Sequence, residues 1–528
     1  MQQINVADTM LQHLRILFHR RFASAAAQVK TKEPKSSSKP LISCRRTQFN
    51  LLEHERSDAK FGAVALCSKG WLHNKSKGDH FTLNATITGE QRQSEMQSLE
   101  DFLGTGQLEL DEQLLKNLKT ELGIKQLTSI QAQAMPIVDG SFHTLIAAET
   151  GCGKTLAYLL PVLNRRLKFL QRDSSPERQL NEPTVLILTP GRELATQITQ
   201  ITRKLCAGTN LKVKALLGGN TKQQMMNPEF EQMDILVATL GAVSKLVTTG
   251  IYRMDQVRHV VLDEADTLLD DSFTDKLTYF LRRFPFHRNH VQNSSVVGTQ
   301  LLLASATMPT NTKEILQKVI DVETIRQVAS PHLHYLMPHV TQKFMRISKA
   351  DRPANLLLMA KQDKVKRRPL IVFSNKSATS DYVSIFLNNS GINCLNLNGD
   401  MLMKIRLGRF EEFQSGNCDV LSTTDVGSRG LDTTRARHVI NFDFPLHVSD
   451  YIHRCGRIGR VGSMDKSLVT NLISSRREID VVQRIEHAAR IGGLLPDVNA
   501  NIKNIINSRI VAEMKQAGIE VPSQEEAF

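Results

Sequence analysis

Residues 143–160 read His143-Thr144-Leu145-Ile146-Ala147-Ala148-Glu149-Thr150-Gly151-Cys152-Gly153-Lys154-Thr155-Leu156-Ala157-Tyr158-Leu159-Leu160. An apolar run enters a glycine-broken loop, and the loop opens a leucine- and alanine-rich helical stretch. The segment 148–155 matches the phosphate-binding pattern GxxxxGK[ST], with Ala148 in place of the leading glycine. Glycines let backbone N–H groups close around phosphate oxygens, and a helix N-terminus adds its positive dipole. Lys154 is expected at the β- and γ-phosphates and Thr155 on Mg²⁺. Strand, loop and helix in this order predict the first unit of a parallel sheet.

The same grammar repeats downstream. Apolar runs at His143–Ala147, Thr184–Leu188, Lys212–Leu217, Ile235–Ala238, His259–Leu262 and Leu301–Ala304 alternate with helical stretches. A second series follows at Leu370–Phe373, Asn393–Leu397, Val420–Ser422, His438–Phe442 and Ser467–Leu472. Alternation of this kind predicts an α/β protein of two doubly wound parallel sheets, with ligands outside the carboxyl ends of the strands. The run Val260-Val261-Leu262 ends in Asp263-Glu264-Ala265-Asp266. Two carboxylates at a strand end suit phosphate hydrolysis: Asp263 to hold Mg²⁺ and Glu264 to orient the attacking water. A solvated acidic loop is the bland alternative, and it loses force beside the phosphate loop.

Composition narrows the classes. The chain has 528 residues, 41% of them hydrophobic, with 67 basic and 53 acidic groups and a net charge of +14. Seven cysteines without a CxxC spacing argue against a disulfide framework or a zinc site. No run is apolar enough to span a membrane, so no membrane insertion is expected. The charge is uneven. Residues 1–100 hold 15 basic against 9 acidic groups, 101–335 hold 25 against 24, 336–490 hold 24 against 15, and 491–528 hold 3 against 5. A polyanionic partner is expected to meet mainly the second series of strands and the N-terminal region.

Further motifs make a resemblance specific. Asp263-Glu264-Ala265-Asp266 spells the signature of the DEAD-box RNA helicases, and Ser305-Ala306-Thr307 matches that family's short coupling motif. Pro190-Gly191-Arg192-Glu193-Leu194-Ala195 resembles PTRELA, and Gly218-Gly219 its GG pair. Gly123–Gln131 resembles the Q motif, Thr424–Asp432 resembles ATDxxARGxD, and His453-Arg454-Cys455-Gly456-Arg457-Ile458-Gly459-Arg460 matches HRxGRxGR in full. The resemblance covers about residues 100–490, in the family's order. It implies two tandem RecA-like domains, 101–335 (ATP-binding) and 336–490 (C-terminal helicase). ATP and Mg²⁺ are the implied cofactors, and RNA-stimulated hydrolysis to ADP and phosphate is the implied reaction.

By the same resemblance, Gln131, Ala148, Thr150, Gly151, Gly153, Lys154, Thr155 and Asp432 would bind ATP, with Gln131 at adenine and Asp432 at ribose. Glu264, Asp263, Lys154, Arg457, Arg460 and His453 would carry catalysis, and Thr155 and Asp263 the metal. The arginines have an independent reason, because phosphoryl transfer spreads negative charge that a guanidinium can stabilise. Ser305, Thr307 and Asp425 would couple the lobes. Single-stranded or short duplex RNA would be held by its backbone at Pro190, Arg192, Gly219, Thr239, Gly241, Arg406 and Thr424, in keeping with an aromatic content of only 5%. Lys361, Lys364, Lys366, Arg367 and Arg368 read as a solvated helix end.

Departures fall mostly on RNA and adenine contacts. Leu127, Ser129 and Ile124 replace the Q motif's prolines and aromatic, and Phe102 is the nearest candidate for its upstream aromatic. Thr239-Leu240-Gly241-Ala242 stands for TPGR, Met403 for the glutamine of QxxR, and Asn398 for the histidine of HG.

Residues 1–28 are Arg-rich and acid-poor, with Met10, Leu11, Leu14, Ile16, Leu17 and Phe18 largely on one helical face. This is the pattern of a mitochondrial targeting presequence. Residues 29–100 read as a flexible, basic, largely disordered extension, and 491–528 as a short tail of helix and disordered end. The expectations are a monomeric helicase core in the mitochondrial matrix (alternatively nuclear or nucleolar), acting on mitochondrial ribosomal RNA with ribosome-assembly proteins. The chain also resembles the mitochondrial branch of the family linked to large-ribosomal-subunit assembly. Two other readings stay open: an ATP-dependent RNA clamp that docks partners, and a P-loop ATPase not directed at RNA.

Overall fold

The computed structural model describes residues 41–52, 64–87, 96–172, 178–219, 221–269, 271–286, 298–308, 312–428, 433–460, 466–496 and 498. The expected presequence, most of the tail, and Asp432 lie outside the described residues.

The first lobe is a seven-stranded, all-parallel sheet. Its order is Arg326–Ala329, Thr144–Ala147, Gln300–Ser305, His259–Asp263, Val185–Thr189, Ile235–Thr239, Val213–Leu216. Five of these strands are buried along their whole length, as continuous Leu, Ile and Val runs require when helices cover both faces. The phosphate loop follows the strand Thr144–Ala147 and the acidic motif follows His259–Asp263. Gln300–Ser305 lies between those two strands and ends in the Ser305–Thr307 motif. Three motifs therefore leave adjacent strands on one edge.

The second lobe is an eight-stranded sheet. Six parallel strands run in the order Val340–Arg346, Ser467–Ile473, His438–Asn441, Leu370–Phe373, Val420–Thr423, Cys394–Leu397. Two more strands precede Val340–Arg346, both antiparallel and both from the N-terminal region. His80–Leu83 pairs with Val340–Arg346 (Phe81 opposite Phe344), and Ile42–Cys44 pairs with His80–Leu83.

Over its described residues, this corrects the reading of 29–100 as a largely disordered extension. Residues 41–52 and 64–87 form a strap on the second lobe. Trp71 is 0% exposed, and Phe81 stacks on Phe344 at 4.7 Å between ring centroids. The strap's polar groups are also satisfied. Asp79 accepts from Trp71 Nε1 (2.9 Å) and Arg46 Nε (3.0 Å). Glu486 accepts from Cys67 N (2.7 Å) and Ser68 N (2.9 Å), and Arg346 Nε donates to Trp71 O (3.0 Å). Buried charges with this many partners fix one register. The chain then enters the first lobe, where Gln97–Ser98 pairs with Gln126–Leu127. The lobes are thus joined twice: through 88–95, and through 330–339 after the strand Arg326–Ala329. All seven cysteines are buried and unbridged.

Candidate active site and RNA interface

The phosphate loop owes its shape to two left-handed glycines, Gly151 (φ +82°) and Gly153 (φ +85°). Gln131 is tied to it by a local device. Thr128 caps the helix Ser129–Asp139, and Gln131 completes the capping box by accepting from Thr128 N (2.9 Å). The other end of its amide donates from Nε2 to Gly153 O (3.1 Å), and Thr128 Oγ1 donates to Cys152 O (2.8 Å). One capping box therefore sets the orientation of the expected adenine reader against the loop. Lys154 Nζ donates to the carbonyls of Ala148 (2.6 Å) and Glu149 (2.9 Å), which holds the ammonium at the mouth of the loop.

Thr155 Oγ1 donates to Asp263 Oδ2 at 3.2 Å, so the two expected Mg²⁺ ligands converge from loop helix and strand end. Tyr158, one turn further along the same helix face, donates its hydroxyl to the same oxygen at 2.8 Å. Burial pushes the Asp263 carboxyl above its ordinary value, and the Tyr158 bond and the Lys154 charge oppose this. A buried carboxylate beside a hydroxyl is an oxygen set that would suit a hard divalent cation, and the lysine nearby would meet phosphate charge. Glu264 sits in the left-handed region (φ 51°, ψ 52°), a strained conformation for a non-glycine residue. Burial raises its carboxyl too, against the charges of His453 and Arg457.

Both of those opposing charges come from the second lobe, where HRxGRxGR ends the helix Val448–Cys455. A Cβ on Gly456 would stand 1.4 Å from Thr150 Oγ1, and a Cβ on Gly151 would stand 2.9 Å from Arg460 Cγ. Each glycine thus leaves room for a side chain of the other lobe. Burial lowers the Arg460 guanidinium to about 10; it lowers Arg457 as well, with Glu264 pulling the other way.

Asp266 links the two lobes, and the sequence reading gave it no role. Its Oδ2 accepts from Thr307 N (3.0 Å) and Thr307 Oγ1 (2.6 Å), and lies 3.4 Å from His453 Nε2. Burial opposes its ionisation, yet the His453 ring and the Thr307 bonds hold the carboxyl well below the usual range. Ser305 Oγ donates to Thr307 O. One carboxylate thus touches the acidic motif, the Ser305–Thr307 motif and the arginine motif of the other lobe. Asp425 takes Arg454 of its own lobe bidentately, at 2.7 and 2.9 Å.

The expected RNA residues lie at strand ends on both lobes. Pro190 and Arg192 follow Val185–Thr189, Thr239 ends Ile235–Thr239 with Gly241 just beyond it, and Thr424 follows Val420–Thr423. Arg192 lies over Gly218 and Gly219, its Nη1 3.2 Å from where a Gly219 Cβ would be, so these expected contacts form one surface. Arg406 is placed differently. It is buried, and its Nη1 pairs with Glu193 Oε1 at 2.9 Å across the lobes. Glu193 was missed, although it stands in the PTRELA-like segment. Phe102 is 2% exposed inside the first lobe's core, so it offers no open face for stacking. Lys361, Lys366 and Arg367 are exposed, while Arg368 pairs with buried Asp363.

A split site of this kind, with phosphate loop and acidic motif on one RecA-like lobe and paired arginines on the other, defines a two-lobe nucleotide-driven enzyme. Comparison with known proteins gives its family. The DEAD/DEAH box helicase domain matches residues 128–315, and the helicase conserved C-terminal domain matches 348–462. The chain is 35% identical over 475 residues to the mouse "Probable ATP-dependent RNA helicase DDX28", covering 88% of this chain and 86% of the relative. It is 34% identical over 473 residues to the human protein of that name, with the same coverage. It is 31% identical over 348 residues to the ATP-dependent RNA helicase RhlB of Shewanella frigidimarina, covering 66% and 76%. The fold is similar to S. cerevisiae Dbp5 bound to RNA and ADP BeF3 (TM-score 0.60, 22% identity, 79% of this chain and 99% of that one). It is also similar to Mss116p bound to ssRNA and AMP-PNP (TM-score 0.61, 22% identity, 80% and 86%).

The chain belongs to the DEAD-box ATP-dependent RNA helicases. It is an RNA-dependent ATPase of two RecA-like domains, as its motifs led us to expect.

Proposed function

We propose that the lobes close over ATP and RNA together, and that closure assembles the hydrolytic site. Lys154 and the loop N–H groups cradle the phosphates, with Gln131 reading the base. Thr155 and Asp263 hold Mg²⁺, which when bound would neutralise phosphate charge. Glu264 orients the attacking water and accepts its proton. Arg457 and Arg460 stabilise the charge that builds on the γ-phosphate oxygens as ADP leaves. RNA lies along Pro190, Arg192, Gly219, Thr239, Gly241 and Thr424. The carrying observation is the packing of Arg460 on Gly151, which puts second-lobe arginines beside the first lobe's phosphate loop.

Arg406 works through Glu193 in this reading, as a latch between the RNA-facing edges of the lobes. Strand separation follows from closure on a single strand held by its backbone. Turnover measured with and without single-stranded RNA tests the scheme, and equal rates would sink it. A Glu264→Gln protein that still separates strands without turnover would favour the clamp reading.

Mitochondrial RNA, ribosome-assembly partners and a matrix location extend the proposal. They rest on the Arg-rich, acid-poor composition of residues 1–28 and on the resemblance to the family branch linked to large-subunit assembly. A fluorescent fusion of residues 1–30 that stays in the cytosol would remove them.

A further inference from the structure

The turn that carries the arginines has a support outside the helicase motifs. Gly459, between Arg457 and Arg460, has φ +65°, and a Cβ there would fall 2.5 Å from Val340 Cγ2 and 2.8 Å from His339 Nε2. The Gly459 carbonyl is hydrogen-bonded to His339 Nε2 at 2.7 Å. A carbonyl only accepts, so Nε2 carries the proton in this bond. His339 follows Pro338, whose own carbonyl accepts from Thr86 N (2.7 Å), Ile87 N (3.2 Å) and Thr86 Oγ1 (3.3 Å). Thr86 and Ile87 end the strap, whose strand His80–Leu83 is fixed on Val340–Arg346. Contacts therefore run unbroken from the N-terminal strap through Pro338 and His339 to the backbone between the two arginines.

We propose that His339 is a positioning residue for the Arg457–Arg460 turn, and that the strap holds His339 in place through Pro338. The physical reason is the glycine. A left-handed Gly459 gives the closest approach to Val340, but a glycine peptide is also free to rotate. The His339 bond takes up the one carbonyl whose rotation would swing Arg460 off Gly151. Placement matters because misplacing a charge-stabilising group by about an ångström can cost 10²-fold in rate. This chain would thus use residues 80–87, which lie upstream of both matched helicase domains, to aim its arginines.

The inference rests on reading Arg457 and Arg460 as the groups that meet the γ-phosphate, and the test separates the two claims. In the full chain with single-stranded RNA, affinities for ADP and for ADP with beryllium fluoride are measured for wild type, Arg460→Ala, His339→Ala, His339→Gln and Thr86→Pro, beside turnover and melting temperature. His339→Ala should bind ADP as wild type does, yet lose about tenfold in affinity for the fluoride complex and about tenfold in kcat. His339→Gln, which can still donate, should recover most of both. Thr86→Pro, which removes two of the three donors to Pro338 and leaves Ile87 N, should show the same selective loss to a smaller degree.

Wild-type affinity for the fluoride complex in His339→Ala overturns the proposal. So does an equal loss for ADP and the complex, or no recovery in His339→Gln; each would mark general packing. Thr86→Pro at wild-type affinity overturns the strap's part. If Arg460→Ala itself keeps the fluoride complex, the arginine reading is what fails.

Discussion

The two lobes share a strand–helix grammar but are completed differently. The first lobe builds its main sheet from one stretch of chain, 144–329, and its motifs leave neighbouring strands. The second lobe borrows two strands from residues 42–83, more than 250 positions upstream of Val340. One lobe holds the nucleotide chemistry. The other supplies arginines on a turn that depends on distant support. A shared grammar therefore hides unequal self-sufficiency, and the lobe that borrows strands is the one that must be aimed.

Substitutions sharpen this contrast in order of size. Arg460→Ala should lower RNA-stimulated kcat by about 10³-fold or more, as loss of an arginine finger does, while ADP affinity in a fluorescent-nucleotide titration stays near wild type. Glu264→Gln, on the opposite lobe, should cost about 10²–10⁴-fold in kcat, the range for a general base. RNA affinity with ATP should be retained or strengthened, read by gel shift. A comparable loss of RNA binding would break the division of labour.

Trp71→Ala should destabilise the second lobe by about 3–5 kcal/mol, the usual cost of emptying a large aromatic site. Limited proteolysis should then release the strap while the first lobe resists. Arg406→Ala would leave Glu193 buried and unpaired, and should raise the RNA concentration for half-maximal turnover several-fold at unchanged ADP affinity.

The smallest effect is one of pH. Burial raises the Glu264 carboxyl above the ordinary glutamate value, and only its ionised form can accept a proton. Turnover should therefore fall on the acid side at a pH above that of an exposed glutamate, read from kcat between pH 5 and 9.

Local signals made most of the site legible. The phosphate loop, the acidic motif and the arginine motif are contiguous, and their flanking runs predict the strands that carry them. Gln131 is legible through its resemblance to the Q motif, and the structure adds the Thr128 capping box that orients it. What could not be read depends on pairs far apart in sequence. Glu193 with Arg406, Asp266 with His453, and Glu486 with the amides of Cys67 and Ser68 have no spacing rule.

The strap was illegible for a similar reason. Its strands are three and four residues long, and Arg46 and Asp79 look like solvent-facing charges until their partners are seen. The lone tryptophan, Trp71, was its one mark of a core. Phe102 misled in the opposite sense, because an aromatic near the expected position is packed inward.

Hydrogen exchange at the amides of Ile42–Cys44 and His80–Leu83 tests most directly whether residues 41–87 complete the second lobe. Protection comparable to that of Val340–Arg346, lost together with it in Trp71→Ala, is the predicted result. Exchange of those amides at open-chain rates, while Val340–Arg346 stays protected, would contradict it.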